Sequence, residues 1–286
     1  MKLGLCQWEV RRTAGLAAWA ARLEAEVAYA SGQGAEVLVL PEYAPLECVA
    51  GAEPDPAREL QTAIAQSEAL LDAARTVARR HQVWLIPGSL PRLRDGFVRN
   101  QSPLIAPDGR FAVQEKYAMT RFEAEDWRLA PGRPPAVFDT PFGRLGLAIC
   151  FDVEFPHLVR AQVEAGAWLI LVPTCTDTAH GFNRVRIAAA ARAMENQCFV
   201  AVAPTVGTAP WSGTLDANTG HAAIFGPVDR GFPADGVIAA GTPDRHEWLF
   251  ADLDPQRLAA VRRDGAVRNH WTWPPTPPPC SVVPLA

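Results

Sequence analysis

Lysine is almost missing from this sequence: Lys2 and Lys116 stand against twenty-five arginines. No segment approaches the roughly 20 apolar residues of a membrane-spanning helix, and none is expected. The N-terminal MKLGLCQWEVRR has too short an apolar stretch before Glu9, Arg11 and Arg12 to read as a signal peptide, and a cytoplasmic location is expected. No run of like charge and no basic excess is present, the formal net charge being -4. That balance argues against nucleic acid and for a small-molecule partner. The six cysteines form no C-x-x-C pair and the six histidines are dispersed, with no H-E-x-x-H. Neither a disulfide framework nor a metal site is expected. A G-x-S-x-G elbow and a P-loop are also lacking, which removes the commonest serine-hydrolase and nucleotide readings.

What is present is a core-forming chain of 286 residues, 49% of them apolar, long enough for one large unit. The division expected is a domain over 1–273 and a proline-rich tail over 274–286. Lys2 to Trp8 reads as a strand, and Leu16, Trp19, Leu23, Val27 and Ala30 recur at helical spacing. Glu36 to Leu40 is a short apolar run that suits a buried strand and delivers Glu42 past Pro41. Helical periodicity is clearest from Leu60 to Ala78. Val83 to Ile86 reads as a strand. Two extended runs flank Pro107-Asp108-Gly109 as a hairpin whose second arm carries Lys116. A polar loop is expected from Tyr117 to Gly132. A second hairpin, Val137 to Ile149, ends at Cys150. A helix from Pro156 to Gly166, a strand over 168–172, a helix over 181–196 and a strand over 198–203 follow. Further strands are expected between Ala222 and Leu253, then a short helix from Pro255 to Arg263. From Trp271 the prolines forbid helix and central strand.

Glu42, Lys116 and Cys150 thus share one description, each at the C-terminal end of a buried strand, where α/β folds gather ligands. Taken singly, each has a plainer reading. A glutamate after a proline is often a cap, a cysteine at a strand end is often a small buried hydrophobe, and a lysine there can be a hairpin-end charge. Their local sequences are LVLPEY, VQEKYAMT and GLAICFDVEFP, with RFEAEDWRLAPG, VPTCTD and ARAMENQ between and after them. In order and separation these resemble the three signatures of the nitrilase superfamily of carbon-nitrogen hydrolases, over almost the whole chain.

The resemblance implies a four-layer α-β-β-α sandwich with two mixed sheets, no cofactor, and a homodimer or larger homo-oligomer. It also implies a second active-site glutamate after the lysine. Counting back from Pro131-Gly132 puts it at Glu125, with Glu123 the alternative. C-F-D-V-E-F-P after the nucleophile looks like the amidase and omega-amidase branches, since nitrilases tend to carry tryptophan after the cysteine. The expected activity is hydrolysis of a small carboxamide. Nitrile hydrolysis, N-carbamoyl amine hydrolysis and acyl transfer are the alternatives, and a non-catalytic binding protein is the reading from another class.

The chemistry also follows from the residues. A cation beside a thiol lowers its pKa, and Lys116 is placed to do so for Cys150. Glu42, shielded from water, can take the thiol proton and pass it to a departing amine. Lys116 and the Phe151 N–H are the expected oxyanion donors if Cys150 lies on a sharp turn. Lysine is needed where arginine is otherwise used throughout, because an ammonium is compact and a guanidinium is a broad fork. From position alone, Tyr43, Trp127, Phe151, Thr174, Cys175 and Thr176 are expected to wall the pocket. His157 is expected to face away on its helix, and Arg192 with Glu195 to form a structural ion pair. Trp271 and Trp273 suggest packing or a subunit contact, with solvent-exposed disorder the competing reading.

Overall fold

The computed structural model describes residues 1–51, 53–274 and 280. The first half of the chain runs β1 (Lys2–Glu9), α1 (Leu16–Gly32), β2 (Val37–Val39), α2 (Pro56–His81), β3 (Trp84–Ile86), β4 (Leu90–Arg94), β5 (Phe97–Ile105) and β6 (Phe111–Glu115). After α3 (Arg121–Glu125) come β7 (Val137–Thr140), β8 (Gly143–Leu147), α4 (Pro156–Glu164), β9 (Leu169–Thr174), α5 (Ala179–Asn196) and β10 (Phe199–Thr208). The last part holds β11 (Ala217–Asn218), β12 (Ala223–Phe225), β13 (Val237–Ala240), β14 (Glu247–Asp252), α6 (Pro255–Asp264) and α7 (Asn269–Thr272).

The strands make two mixed sheets. In the first, β1, β2 and β3 are parallel, while β5, β4, β6 and β14 join antiparallel. In the second, β8, β9 and β10 are parallel, with β7, β12 and β13 antiparallel. The end of β1 pairs with β10 at Trp8↔Thr205 and Glu9↔Val206, which makes the two halves one hydrogen-bonded path.

Side-chain alternation decides the layers. Leu3, Leu5, Val37 and Val39 of the first sheet share a core with Leu145, Leu147, Leu169, Leu171 and Phe199 of the second, so the sheets face each other. The intervening residues point outward. Leu38, Leu40 and Leu85 pack on Trp19, Leu23 and Val27 of α1 and on Leu70 and Ala74 of α2. Ile170, Val172, Val200 and Val202 pack on Val159 of α4 and on Val185 and Ala189 of α5. Strands covered on both faces must be apolar at every position, which is why they read as unbroken runs. The layers are therefore α-β-β-α, as expected.

Local chemistry fixes the longest helix. Asp55 accepts the N–H of Arg58 as the N-cap of α2, Pro56 follows at its first position, and Arg79, Arg80 and His81 lie in the last turn against the negative end of the helix dipole.

Four details differ from the sequence reading. The segment expected as a loop from Tyr117 to Gly132 contains α3, and β4 was not expected. β10 runs on to Thr208, because its far end also pairs with β1 and β11. The segment from Trp271 was expected to exclude helix, yet α7 forms a short turn just before the prolines. Trp271 is 66% exposed and meets the His270 ring edge-on, and Trp273 lies against the Arg160 guanidinium at 5.0 Å. The proline-rich tail expected over 274–286 falls outside the described residues, apart from Pro274 and Cys280. Among the described residues no helix is long and apolar enough to cross a membrane.

Candidate active site

Glu42 leaves β2 through Leu40, whose N–H still pairs with the Ile86 carbonyl, and is followed by Tyr43 in the left-handed region at φ 59°. The β3 end crosses this bend so closely that a Cβ on Gly88 (φ +97°) would sit 2.2 Å from the Pro41 carbonyl oxygen. Only glycine fits there. Lys116 directly follows β6. Its N–H donates to the Asn100 carbonyl at 2.9 Å, and its carbonyl accepts the Gly132 N–H at 2.8 Å. Cys150 begins a 3-10 helix (Cys150–Glu154) after β8 and has φ 47°, a left-handed value that L residues seldom adopt. The turn expected at the cysteine is present.

One carboxylate joins the last two segments. Asp152 accepts N–H bonds from Tyr117 at 3.1 Å, Ala118 at 2.8 Å and Ile149 at 3.3 Å. The chain just after Lys116 is thereby tied to the chain just before Cys150.

The structure brings Glu42, Lys116 and Cys150 together. Lys116 Nζ lies 2.8 Å from Glu42 Oε1, both residues being 1% exposed. Glu42 lies beside Cys150, whose thiol donates to the Cys175 carbonyl at 3.7 Å, and Glu42 Oε2 accepts the Cys175 N–H at 3.2 Å. Thr174 donates its hydroxyl to Cys150 Sγ at 3.1 Å.

Besides Glu42, the glutamate that the structure brings to Lys116 is Glu123, and Glu125, the position counted back from Pro131-Gly132, lies away from it. Lys116 Nζ reaches the Glu123 oxygens at 2.8 and 2.7 Å, and the Tyr43 hydroxyl donates to the same carboxylate. Glu125 points to solvent and pairs with Arg121 at 2.8 Å, the two side chains being 59% and 87% exposed. The physical reason lies at the start of α3. Thr120 and Glu123 form a reciprocal capping box, in which Glu123 Oε2 accepts the Thr120 N–H at 2.9 Å. That box turns Glu123 inward, and Glu125 then falls on the outer face of the helix. The T-x-x-E spacing was the signal that finds it.

Electrostatics within this cluster follow from burial. Loss of solvent, with the Glu123 charge adding to it, pushes the Glu42 carboxyl up to about 7 although Lys116 opposes the rise. Burial disfavours the Lys116 ammonium, but the Glu123 and Glu42 carboxylates outweigh it and hold its pKa well above the ordinary value. The thiol departs from the sequence reading. Burial, then the Glu42 charge, push Cys150 well above the usual thiol range, and Lys116 offsets only part. The proton therefore rests on sulfur, with Glu42 beside it to receive it.

A cavity of about 390 Å³ opens over these groups. Of the expected walls, Tyr43, Phe151, Cys175 and Thr176 line it. Trp127 and Thr174 do not. Trp127 stands behind Tyr43 at 5.5 Å, with its Nε1–H on the Pro56 carbonyl, and Thr174 lies under the sulfur. Sequence reasoning missed the rim residues Arg121, Glu154, Asp177, Arg184 and Asp216. His157 is exposed, and Arg192 pairs with Glu195 at 2.7 Å along α5. Among the described residues no group of three or more His, Cys, Asp or Glu is disposed to hold a metal ion.

Comparison with known proteins identifies the family. Residues 2–263 match the family model for carbon-nitrogen hydrolase. A deaminated glutathione amidase of Synechocystis sp. (strain PCC 6803 / GT-S) is 32% identical over 252 residues, which are 83% of this chain and 86% of the relative. The probable hydrolase YhcX of Bacillus subtilis is 29% identical over 94% of this chain but only 53% of its own length, so the chain spans about half of that relative. Among solved structures, an amidase from Nesterenkonia sp. superimposes with a TM-score of 0.74 at 28% identity, over 92% of this chain and 94% of that one.

Proposed function

This chain belongs to the carbon-nitrogen hydrolase family, and from that premise we propose that it hydrolyses a small carboxamide to the carboxylic acid and ammonia through a thioester on Cys150. The observation that carries the reading is the meeting of a thiol, a buried carboxyl and a buried ammonium at the floor of one cavity. Relatives named as amidases support the amide over a nitrile or a carbamoyl compound. The assembly that goes with this reading is a homodimer or larger homo-oligomer.

In the first half-reaction Glu42 takes the thiol proton as sulfur bonds to the amide carbon. Lys116 Nζ and the N–H of Phe151 receive the oxyanion, the ammonium because it stays charged at neutral pH and the amide because the first N–H groups of a helix lack partners within it. Protonated Glu42 then gives its proton to nitrogen, the C–N bond breaks and ammonia leaves. In the second half-reaction Glu42 takes a proton from water as its oxygen attacks the thioester carbon; the C–S bond then breaks, the acid leaves, and Glu42 returns the proton to sulfur to restore the thiol. A base near pKa 7 suits both directions of transfer.

The direct test is intact-protein mass spectrometry with a panel of amides, nitriles and N-carbamoyl amines. An acyl adduct confined to Cys150 that clears in water, with release of acid and ammonia from amides, is expected. Product that forms only with an added amine or alcohol would make the protein an acyltransferase, and no adduct with any of the panel would remove the enzyme reading.

The pH dependence follows with its sign. Glu42 accepts protons only when ionised, and its carboxyl is raised to about 7. As pH falls through that value the base is lost, so kcat/KM for an amide should decline on the acid side with a midpoint near 7. A midpoint at pH 4 to 5, as for a solvated glutamate, would show that the base lies elsewhere.

A further inference from the structure

Asn100 on β5 is fully buried, and its side-chain amide lies between two carboxylates. Nδ2 donates to Glu42 Oε1 at 2.9 Å and to Glu123 Oε1 at 3.3 Å, so each of its hydrogens has a negative acceptor. Its backbone carbonyl takes the Lys116 N–H at 2.9 Å. One residue thus touches three of the four groups at the floor of the cavity. Its Oδ1 is buried with no partner among the described residues. Such an orphan costs stability, and an apolar side chain would avoid that cost.

The bonds on Glu42 are divided unevenly. Oε1 receives both the Lys116 ammonium at 2.8 Å and the Asn100 amide. Oε2 receives one N–H, from Cys175 at 3.2 Å. Two donors occupy the acceptor capacity of the first oxygen, and the second retains a lone pair. We infer that Asn100 is a positioning residue for the hydrolysis: it anchors Glu42 through Oε1 and leaves Oε2 as the oxygen that exchanges the proton with the Cys150 thiol. The lysine alone cannot fix the plane of the carboxylate, because an ammonium is a point charge with freely rotating donors. A planar amide carried on β5 can. This inference rests on Glu42 being the base.

Removal of the amide has a definite consequence. The groups around the Glu42 carboxyl are Lys116, Glu123, Cys150, Cys175 and the Tyr43 hydroxyl. Asn100 is a neutral donor to the ionised form, so its loss favours the protonated form and moves the acid limb upward in pH. For Asn100→Ala we expect a fall in kcat of roughly tenfold or more at pH 7, KM within about threefold of wild type, and an acid limb higher by about half a unit to one unit. Asn100→Asp keeps the volume, replaces the donor by a third carboxyl beside Glu42 and Glu123, and should move the limb in the same direction.

The experiment measures the pH dependence of amide turnover and, separately, of Cys150 alkylation by iodoacetamide in wild type and both variants, with a thermal melt for each. An upward shift in both profiles supports the assignment. A limb that stays at the wild-type position in whichever variant remains folded overturns it, since a merely structural asparagine would change stability and leave the limb in place. If the wild type turns over no amide, the proposed function fails. The alkylation profile still decides the role of Asn100.

Discussion

Lys116→Arg is expected to yield a folded protein whose kcat/KM for its amide is lower by ~10²-fold or more. The charge is retained, so a loss of this size reports on shape. Lys116 is 1% exposed and its Nζ already contacts Glu42 at 2.8 Å and Glu123 at 2.7 Å. A guanidinium is wider than an ammonium, and its planar fork favours bidentate pairing with a carboxylate. In this site it would pair side-on with Glu42 or Glu123 and so occupy the oxygen that must reach the thiol, or displace the donor from the oxyanion position. Overpacking of a closed site costs about 1–3 kcal/mol, which a domain of this size should survive. Circular dichroism and a melting curve establish the fold, and steady-state kinetics establish the loss. Near-normal turnover would mean that any cation serves at position 116, and that the scarcity of lysine elsewhere carries no information about this site.

How far the site can be read from the sequence depends on the range of each interaction. Glu42, Lys116 and Cys150 were legible because each follows a strand whose apolar run is written locally. The clearest helix, α2, was legible from its periodicity and holds an N-cap of the ordinary kind. The five residues of α3 are too few to show a period, so the segment read as loop and Glu123 stood as the alternative to Glu125. Its capping box was nonetheless visible as Thr120 and Glu123 three positions apart. Trp127 and Thr174 were placed in the wall because they lie near the motifs, and nearness in sequence does not fix direction. Thr174 ends β9 facing the sulfur, where its hydroxyl serves Cys150 and lies outside the cavity lining. Asn100 was not legible at all. In a strand reading Phe-Val-Arg-Asn-Gln-Ser-Pro, an asparagine looks like part of a solvated face, and only the arrival of β6, α3 and the bend after β2 makes it the centre of a buried cluster. The raised thiol was missed for a related reason. The sequence shows the cation, while the cost of burial belongs to the fold.

Glu123→Gln and Glu125→Gln should separate by about two orders of magnitude in kcat/KM, although the two glutamates are neighbours on one short helix. Glu123 uses both oxygens as acceptors. Oε1 takes the Tyr43 hydroxyl, the Lys116 ammonium and the Asn100 amide, and Oε2 takes Lys116 at 2.7 Å and the Thr120 N–H at 2.9 Å. Glutamine accepts at one end only, so its amide N–H must face either a cation or another N–H. Breaking one side of a buried ion pair costs about 3–5 kcal/mol, and of its two carboxylate partners the lysine keeps Glu42. Activity should therefore fall ~10²-fold, as when a preorganised donor is lost. The pH profile adds a sign that Asn100→Ala cannot mimic. The Glu123 charge raises the Glu42 carboxyl, so its removal lets that carboxyl titrate lower and moves the acid limb of the residual activity downward. Glu125 pairs with Arg121 in solvent, where an ion pair contributes about 0–1 kcal/mol, and its loss should leave turnover and melting temperature near wild type. Parallel kinetics and melts on the two variants decide between them. Full activity in Glu123→Gln together with impairment in Glu125→Gln would reverse the assignment, and would require α3 to turn by about two residues when substrate binds.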